Sequence, residues 1–237
     1  MNKKHSTSFY TADMKMAELV RSDYKLLLLF TRFGLELGVG EDTIATQCVR
    51  QGVSPALFVM VCNIYSFADY RPTRQEVESL DVEQLLSYLS RSHTYYIEAR
   101  LQPMEQQLRN ISEHCTASHN AVLQRFFAEY RQEVMNHFDY EESTVFPYIR
   151  KLIACHKMQP EYDIETFERN HSNIDDKLSD LKNILIKYLP GIGMAAEQTE
   201  LLFQIFSLED DLNRHTFIED VVLIPLVRHM ELSSYDK

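Results

Sequence analysis

The sequence predicts an all-α protein: a small helical domain over residues 1–72, followed over residues 78–232 by an up-down bundle of four long helices built from two αα-hairpin repeats. Three observations predict it. Six glycines and seven prolines punctuate 237 residues, and 45% of the chain is hydrophobic with no Trp, which disfavours both a turn-dense sandwich and a disordered chain. Apolar positions in the second part recur at alternating steps of three and four over stretches of about 25 to 35 residues. A set of polar residues recurs there in one register, 78 positions apart.

Taken in order, the opening Met1-Asn2-Lys3-Lys4-His5-Ser6 has lysines but no apolar run behind them, so a cytoplasmic protein is expected. From Thr11 to Tyr70 the chain reads as short apolar segments between turn signals. Met16 to Phe33 runs into Gly34, Gly38 and Gly40; Asp42 to Gln51 comes next, and Gly52-Val53-Ser54-Pro55 opens another apolar run. Three or four short helices are expected. The longest apolar run, Ala56 to Cys62, falls far short of the about 20 residues of a membrane-spanning helix, so no membrane partner is expected. The break at Arg71-Pro72-Thr73 separates this part from the long helices.

The four seams are distinct. The first helix carries Leu85, Leu86, Leu89, His93, Tyr96 and Ile97; the second Leu123, Phe127, Tyr130, Val134, His137 and Glu141. The third carries Phe167, His171, Ile174, Leu178, Leu181, Leu185 and Tyr188; the fourth Leu201, Ile205, Leu208, Leu212, His215, Glu219, Val222 and Leu226. Breaks are expected near His114 to His119, near Lys157 to Glu161 and at Leu189-Pro190-Gly191-Ile192-Gly193.

Each seam holds one histidine. His93 pairs with His171, and His137 with His215, at a separation of 78; histidine spacing alone does not establish a repeat, but further matches do. Glu141 and Glu219, Pro147 and Pro225, and Arg150 and Arg228 keep the same register. Each half therefore supplies a lone His on one helix and a His-x-x-x-Glu on the next. Residues i and i+4 stack on one helix face about 6 Å apart, so each motif aims an imidazole and a carboxylate at one point of the core. An ionised carboxylate on an apolar seam is costly unless paired or metal-bound, and Lys and Arg are scarce at these inward positions. Four imidazoles and two carboxylates suit two mid-row metal ions. Iron, manganese and zinc all fit those donors.

The remaining residues read more plainly. His5, His114, His119 and His156 fall in the tail or near helix ends and are expected at the surface. His229 lies on the fourth seam beyond His215; Asp211 stands either beside the His215 ring or in solvent, and Tyr95, Tyr96 and Tyr140 either near the metals or in plain packing. Cys48, Cys62, Cys115 and Cys155 form no C-x-x-C pair and read as inert thiols. A net charge of −11, from 24 Lys and Arg against 35 Asp and Glu, is the wrong sign for a nucleic-acid partner.

A lone His and a His-x-x-x-Glu repeated over four helices resembles the hemerythrin-like cation-binding domain, and within it the Repair of Iron Centers family. Oxygen-carrying hemerythrins have an extra histidine and an aspartate in the final motif, where this chain has Glu219. The resemblance implies a non-haem di-iron centre with His93, His137, Glu141, His171, His215 and Glu219 as ligands, the carboxylates bridging two irons, with places for an oxo bridge and for dioxygen or nitric oxide. It also implies repair of iron-sulfur clusters under nitrosative or oxidative stress, with an iron-sulfur protein as client. Reduction of nitric oxide or peroxide at the same centre, and ligand sensing through a protein partner, are the alternatives. Gly34-Leu35-Glu36-Leu37-Gly38-Val39-Gly40 is similar to that family's Gly-Ile-Asp-Phe-Cys-Cys-Gly turn, but Gly38 and Val39 stand where the two cysteines would be, so their thiol chemistry is not carried over.

Overall fold

The computed structural model describes residues 9–155, 162–170, 175–187 and 193–235. Among them the regular structure is helical, apart from one isolated antiparallel bridge between Lys15 and Thr43. The chain divides into two compact units, Met1–Arg91 with Phe217–His229, and Ser92–Thr216 with Met230–Lys237.

The first unit begins with α1 (Met16–Ser22), a single 3-10 turn (Tyr24–Leu26) and α2 (Leu27–Phe33). Gly34 ends α2 in the left-handed region, with φ 71°, where a side chain would be strained. After α3 (Ile44–Arg50), Ser54 caps α4 (Pro55–Ser66) by accepting from the Leu57 amide, and Pro55 occupies the first turn. Thr73 and Glu76 form a reciprocal capping box at α5 (Arg74–Glu78), so the polar break is also a helix start. The core is aromatic: the Phe33 ring meets Phe58 edge-on at 5.1 Å and stacks on Tyr88 of α6 (Val82–Thr94) at 4.5 Å. The returning residues are anchored here too, with the Arg71 guanidinium 4.7 Å over the Phe217 ring.

The second unit holds most of the long helices. α7 (Gln102–Ser112) and α8 (Ala117–Tyr140) are separated at the expected place, where Thr116 caps α8. Next come α9 (Phe146–Cys155), α10 (Ile164–Asn170), α11 (Asp175–Lys187) and α12 (Ala195–Ile218), and α13 (Ile224–Tyr235) runs on towards the end of the chain. Leu108, Ile111, Leu123, Phe127, Val134, Leu178, Leu181, Leu201, Ile205 and Leu208 share one core, each buried side chain stabilising the fold by about 1.5 to 3 kcal/mol. Every residue of the predicted fourth seam is buried. His171, Ile174 and Tyr188 of the third seam, and the expected breaks at 157–161 and 189–192, lie outside the described residues.

Three segments are π-helical: Tyr95–Leu101, Glu141–Val145 and Glu219–Leu223. In each, the first amide after the segment reaches back five residues: Gln102 to Ile97, Phe146 to Glu141, Ile224 to Glu219. Each of those donors precedes a proline, Pro103, Pro147 or Pro225. Proline has no N–H for the carbonyl four residues back and its ring collides with it, and a widened turn relieves both. The prolines therefore do more than bend the helices beyond the site: the wide turns they impose begin at the two glutamates.

Candidate metal centre

The donors sit where α-helix gives way to π-helix. His93 lies in the last turn of α6, His137 in the last turn of α8 with Glu141 opening the π segment behind it, and His215 in the last turn of α12. His93 is 3% exposed, His215 1% and Glu141 not at all. Candidate ligand atoms of His93, Glu141 and His215 all lie within 4.8 Å of one another. Glu219 follows four residues after His215 in the chain and is also fully buried.

The contacts are specific. His93 Nε2 stands 2.9 Å from Glu141 Oε2 and 3.2 Å from His215 Nε2. The other oxygen of Glu141, Oε1, lies 2.9 Å from His137 Nε2. On its far side His93 is held by Glu142, whose Oε1 is 2.8 Å from Nδ1. A carboxylate only accepts, so Glu142 draws the proton to Nδ1 and leaves Nε2 with a lone pair aimed at Glu141 and His215. Three Lewis bases pointing at one spot within about 3 Å repel one another unless a cation lies between them. This donor set of imidazole and carboxylate suits a mid-row metal ion.

Aromatic rings seal the centre. His93 stacks on Phe138 at 4.2 Å and on Phe146 at 5.7 Å, and Tyr96 and Phe138 meet the His215 ring edge-on at 5.4 and 5.9 Å. Such walls exclude water and strengthen every charge interaction inside.

Three of the six expected ligands, His93, Glu141 and His215, are thus brought to one point, and His137 joins them through Glu141. His171 lies outside the described residues, as do His5 and His156. Asp211 is not a solvated charge: it is 3% exposed and accepts the Tyr96 hydroxyl at 3.0 Å, with Arg100 at 3.9 Å. His229 faces Glu78 at 3.2 Å, and Tyr140 pairs with the Tyr162 hydroxyl at 2.9 Å. His114 and His119 sit at helix ends as expected, on the Asn110 carbonyl and the Thr116 hydroxyl. Glu142 is the residue that sequence reasoning missed. Its signal is in the register: Asp220 stands 78 positions beyond it, so an acid trails the candidate ligand glutamate in both halves. Burial pushes the Cys48 thiol up to about 12 and raises that of Cys62, which keeps both protonated and unfit as metal donors.

A model of the hemerythrin HHE cation binding domain matches residues 85–227, more than half of the chain. The chain belongs to the hemerythrin HHE family. The matched span of the HHE domain contains His93, His137, Glu141, His215 and Glu219, and its buried His and Glu side chains form a group that could hold a metal ion. The chain is also similar to the iron-sulfur cluster repair protein ScdA of Staphylococcus haemolyticus (strain JCSC1435), 20% identical over 224 residues, which are 90% of this chain and 97% of that protein. Among the described residues, no helix of this HHE protein is long and apolar enough to cross a membrane.

Proposed function

We propose that this HHE protein holds two non-haem iron ions through His93, His137, Glu141, His171, His215 and Glu219, and that it serves iron-sulfur cluster repair in the cytoplasm under nitrosative or oxidative stress. The observation that carries the reading is Glu141. One of its oxygens meets His93 and the other His137, each at 2.9 Å, the posture of a carboxylate set between two cations. Glu219 is its counterpart in the second half, fully buried at the start of the matching π segment. The name of the similar staphylococcal protein supports the repair role.

When bound, ferrous ions would supply labile iron and open positions for a small ligand such as nitric oxide or dioxygen. The chain's own residues set the conditions. Two carboxylates among six donors neutralise only part of the charge of two divalent ions, which favours release to a client over permanent retention. Phe138, Phe146 and Tyr96 shield the donors from water, and Glu142 and Asp211 supply polar anchors behind them.

Anaerobic reconstitution with ferrous iron tests the reading. About two irons per chain are expected, falling below about one in the His137→Ala and His215→Ala variants, together with reactivation of a damaged iron-sulfur enzyme by the loaded protein. Fewer than about one iron in the unaltered chain, or a preference for zinc or manganese, overturns the di-iron assignment. Catalytic conversion of nitric oxide to nitrous oxide, without reactivation, replaces repair by reductase activity.

A further inference from the structure

The first unit contains a cavity that the metal centre does not use. Its volume is about 390 Å³, the size of a small-molecule site, and it is lined by the segment ahead of α1, by α4 and by the chain around α5. Asn63 of α4, 2% exposed, fixes that first segment in place. Its Oδ1 accepts the Tyr10 amide at 2.8 Å and its Nδ2 donates to the Tyr10 carbonyl at 3.1 Å. With the Asn63 amide spent in this way, Ala12, Val59 and Met60 leave much of the lining apolar.

Aromatic rings build the rest of the wall. Phe9 meets Tyr70 edge-on at 4.9 Å and Phe67 at 5.4 Å, and Tyr10 lies 4.9 Å from Phe67. Among the described residues that line the cavity, Glu76 alone carries a charge. Its Oε2 accepts both the amide and the hydroxyl of Thr73, each at 2.7 Å, in the capping box of α5, and its Oε1 has no partner among the described residues. Glu76 is exposed, so this carboxylate stands where the cavity opens to solvent. Burial, and then the Glu76 carboxylate, push the Tyr70 phenol up to about 12, so at neutral pH that ring adds no second charge.

We propose that this cavity binds a small organic cation, an ammonium group on an apolar body, with the ammonium on Glu76 and the body against the aromatic rings. A lone carboxylate beside apolar walls attracts a cation more strongly than it does in open water, and the ring faces add cation–π attraction. The net charge of −11 raises the local concentration of cations around the chain. A cavity of this volume takes in the whole of such a molecule, so the occupant is a free amine rather than a lysine side chain on a partner protein.

Titration of the full chain with benzylammonium, followed by two-dimensional NMR, tests it. Saturable shifts centred on Ala12, Val59 and Met60 are expected, with a Kd of about 1 mM or tighter. Benzyl alcohol, of the same shape but neutral, binds about fivefold or more weakly. Glu76→Gln keeps an acceptor for the Thr73 cap and loses only the charge, so it weakens benzylammonium about fivefold or more while leaving benzyl alcohol unchanged. Ala56→Leu, at an exposed position on α4 that lines the cavity, fills it and weakens both probes, with an unchanged circular dichroism spectrum. Equal affinity for the two probes, indifference to Glu76→Gln, shifts centred elsewhere, or tighter binding of a short lysine peptide than of benzylammonium overturns the proposal.

Discussion

Glu142 shows what a single residue behind a candidate ligand does. His93 has two ring nitrogens, and only a fixed acceptor on Nδ1 keeps the lone pair of Nε2 directed into the centre. Removing that acceptor in Glu142→Ala frees the ring to change tautomer. Iron affinity is expected to fall about 10- to 100-fold, measured by competition with a chelator of known affinity. Glu142→Gln retains an acceptor and recovers most of that loss; equal affinity in all three proteins would show that Glu142 does not hold the tautomer. At this scale the sequence singles out the candidate donors but not the residues that support them. His93, Glu141, His215 and Glu219 announce themselves because a polar residue on an apolar seam needs a reason. Glu142 is a partly exposed acid on a charged helix, indistinguishable by type from its neighbours until its distance to Nδ1 is known. Asp211 was legible in place but not in partner, since nothing in local spacing tells that Tyr96, 115 residues away, brings it a hydroxyl.

The helices were legible as seams and caps, because periodicity and capping are local. Ser54-Pro55, Thr116 and the Thr73 box all start helices where the chain suggests. The π segments were not legible, because an i to i+5 bond is a response to crowding rather than a propensity. A trace of them exists: Pro103, Pro147 and Pro225 each stand ten residues after a candidate ligand histidine. A wide turn takes up one extra residue and so rotates the helix before it by about 100° relative to the helix after it. In two of the three segments the rotated residue is the candidate ligand glutamate itself. Pro147→Ala restores an N–H for the carbonyl of Ser143 and removes the clash, so the segment can close as ordinary α-helix. Helix content is expected to stay constant while iron affinity falls about tenfold or more, read by circular dichroism beside metal stoichiometry. If Pro147→Ala and Pro225→Ala both bind iron as the unaltered protein does, the wide turns are not what aims Glu141 and Glu219.

For the molecule as a whole, composition and repeat were enough to predict an all-α chain, because scarcity of turn residues and a 78-residue register are global properties of the string. The clustering of Phe217–His229 with the first ninety-one residues was beyond reach, since it depends on contacts such as Arg71 with Phe217 and Glu78 with His229 that no local pattern encodes. The same long range governs the link between metal and stability. His93 and His215 are 122 residues apart in sequence yet 3.2 Å apart in the fold, so an unfolded chain does not assemble the donor set. A metal bound by the folded state alone, at a free concentration 100 times its Kd, stabilises by about 2.7 kcal/mol. For a chain of this length each kcal/mol moves Tm by about 2 to 4 °C, so chelation is expected to lower Tm by about 5 to 10 °C at fixed protein concentration. Calorimetry distinguishes this from a nonspecific chelator effect through His215→Ala, whose Tm should sit near that of the chelated protein and no longer respond. A Tm indifferent to chelation in the fully loaded protein would mean that the metal binds the unfolded chain as well as the folded one, and that folding gains nothing from assembling its donors.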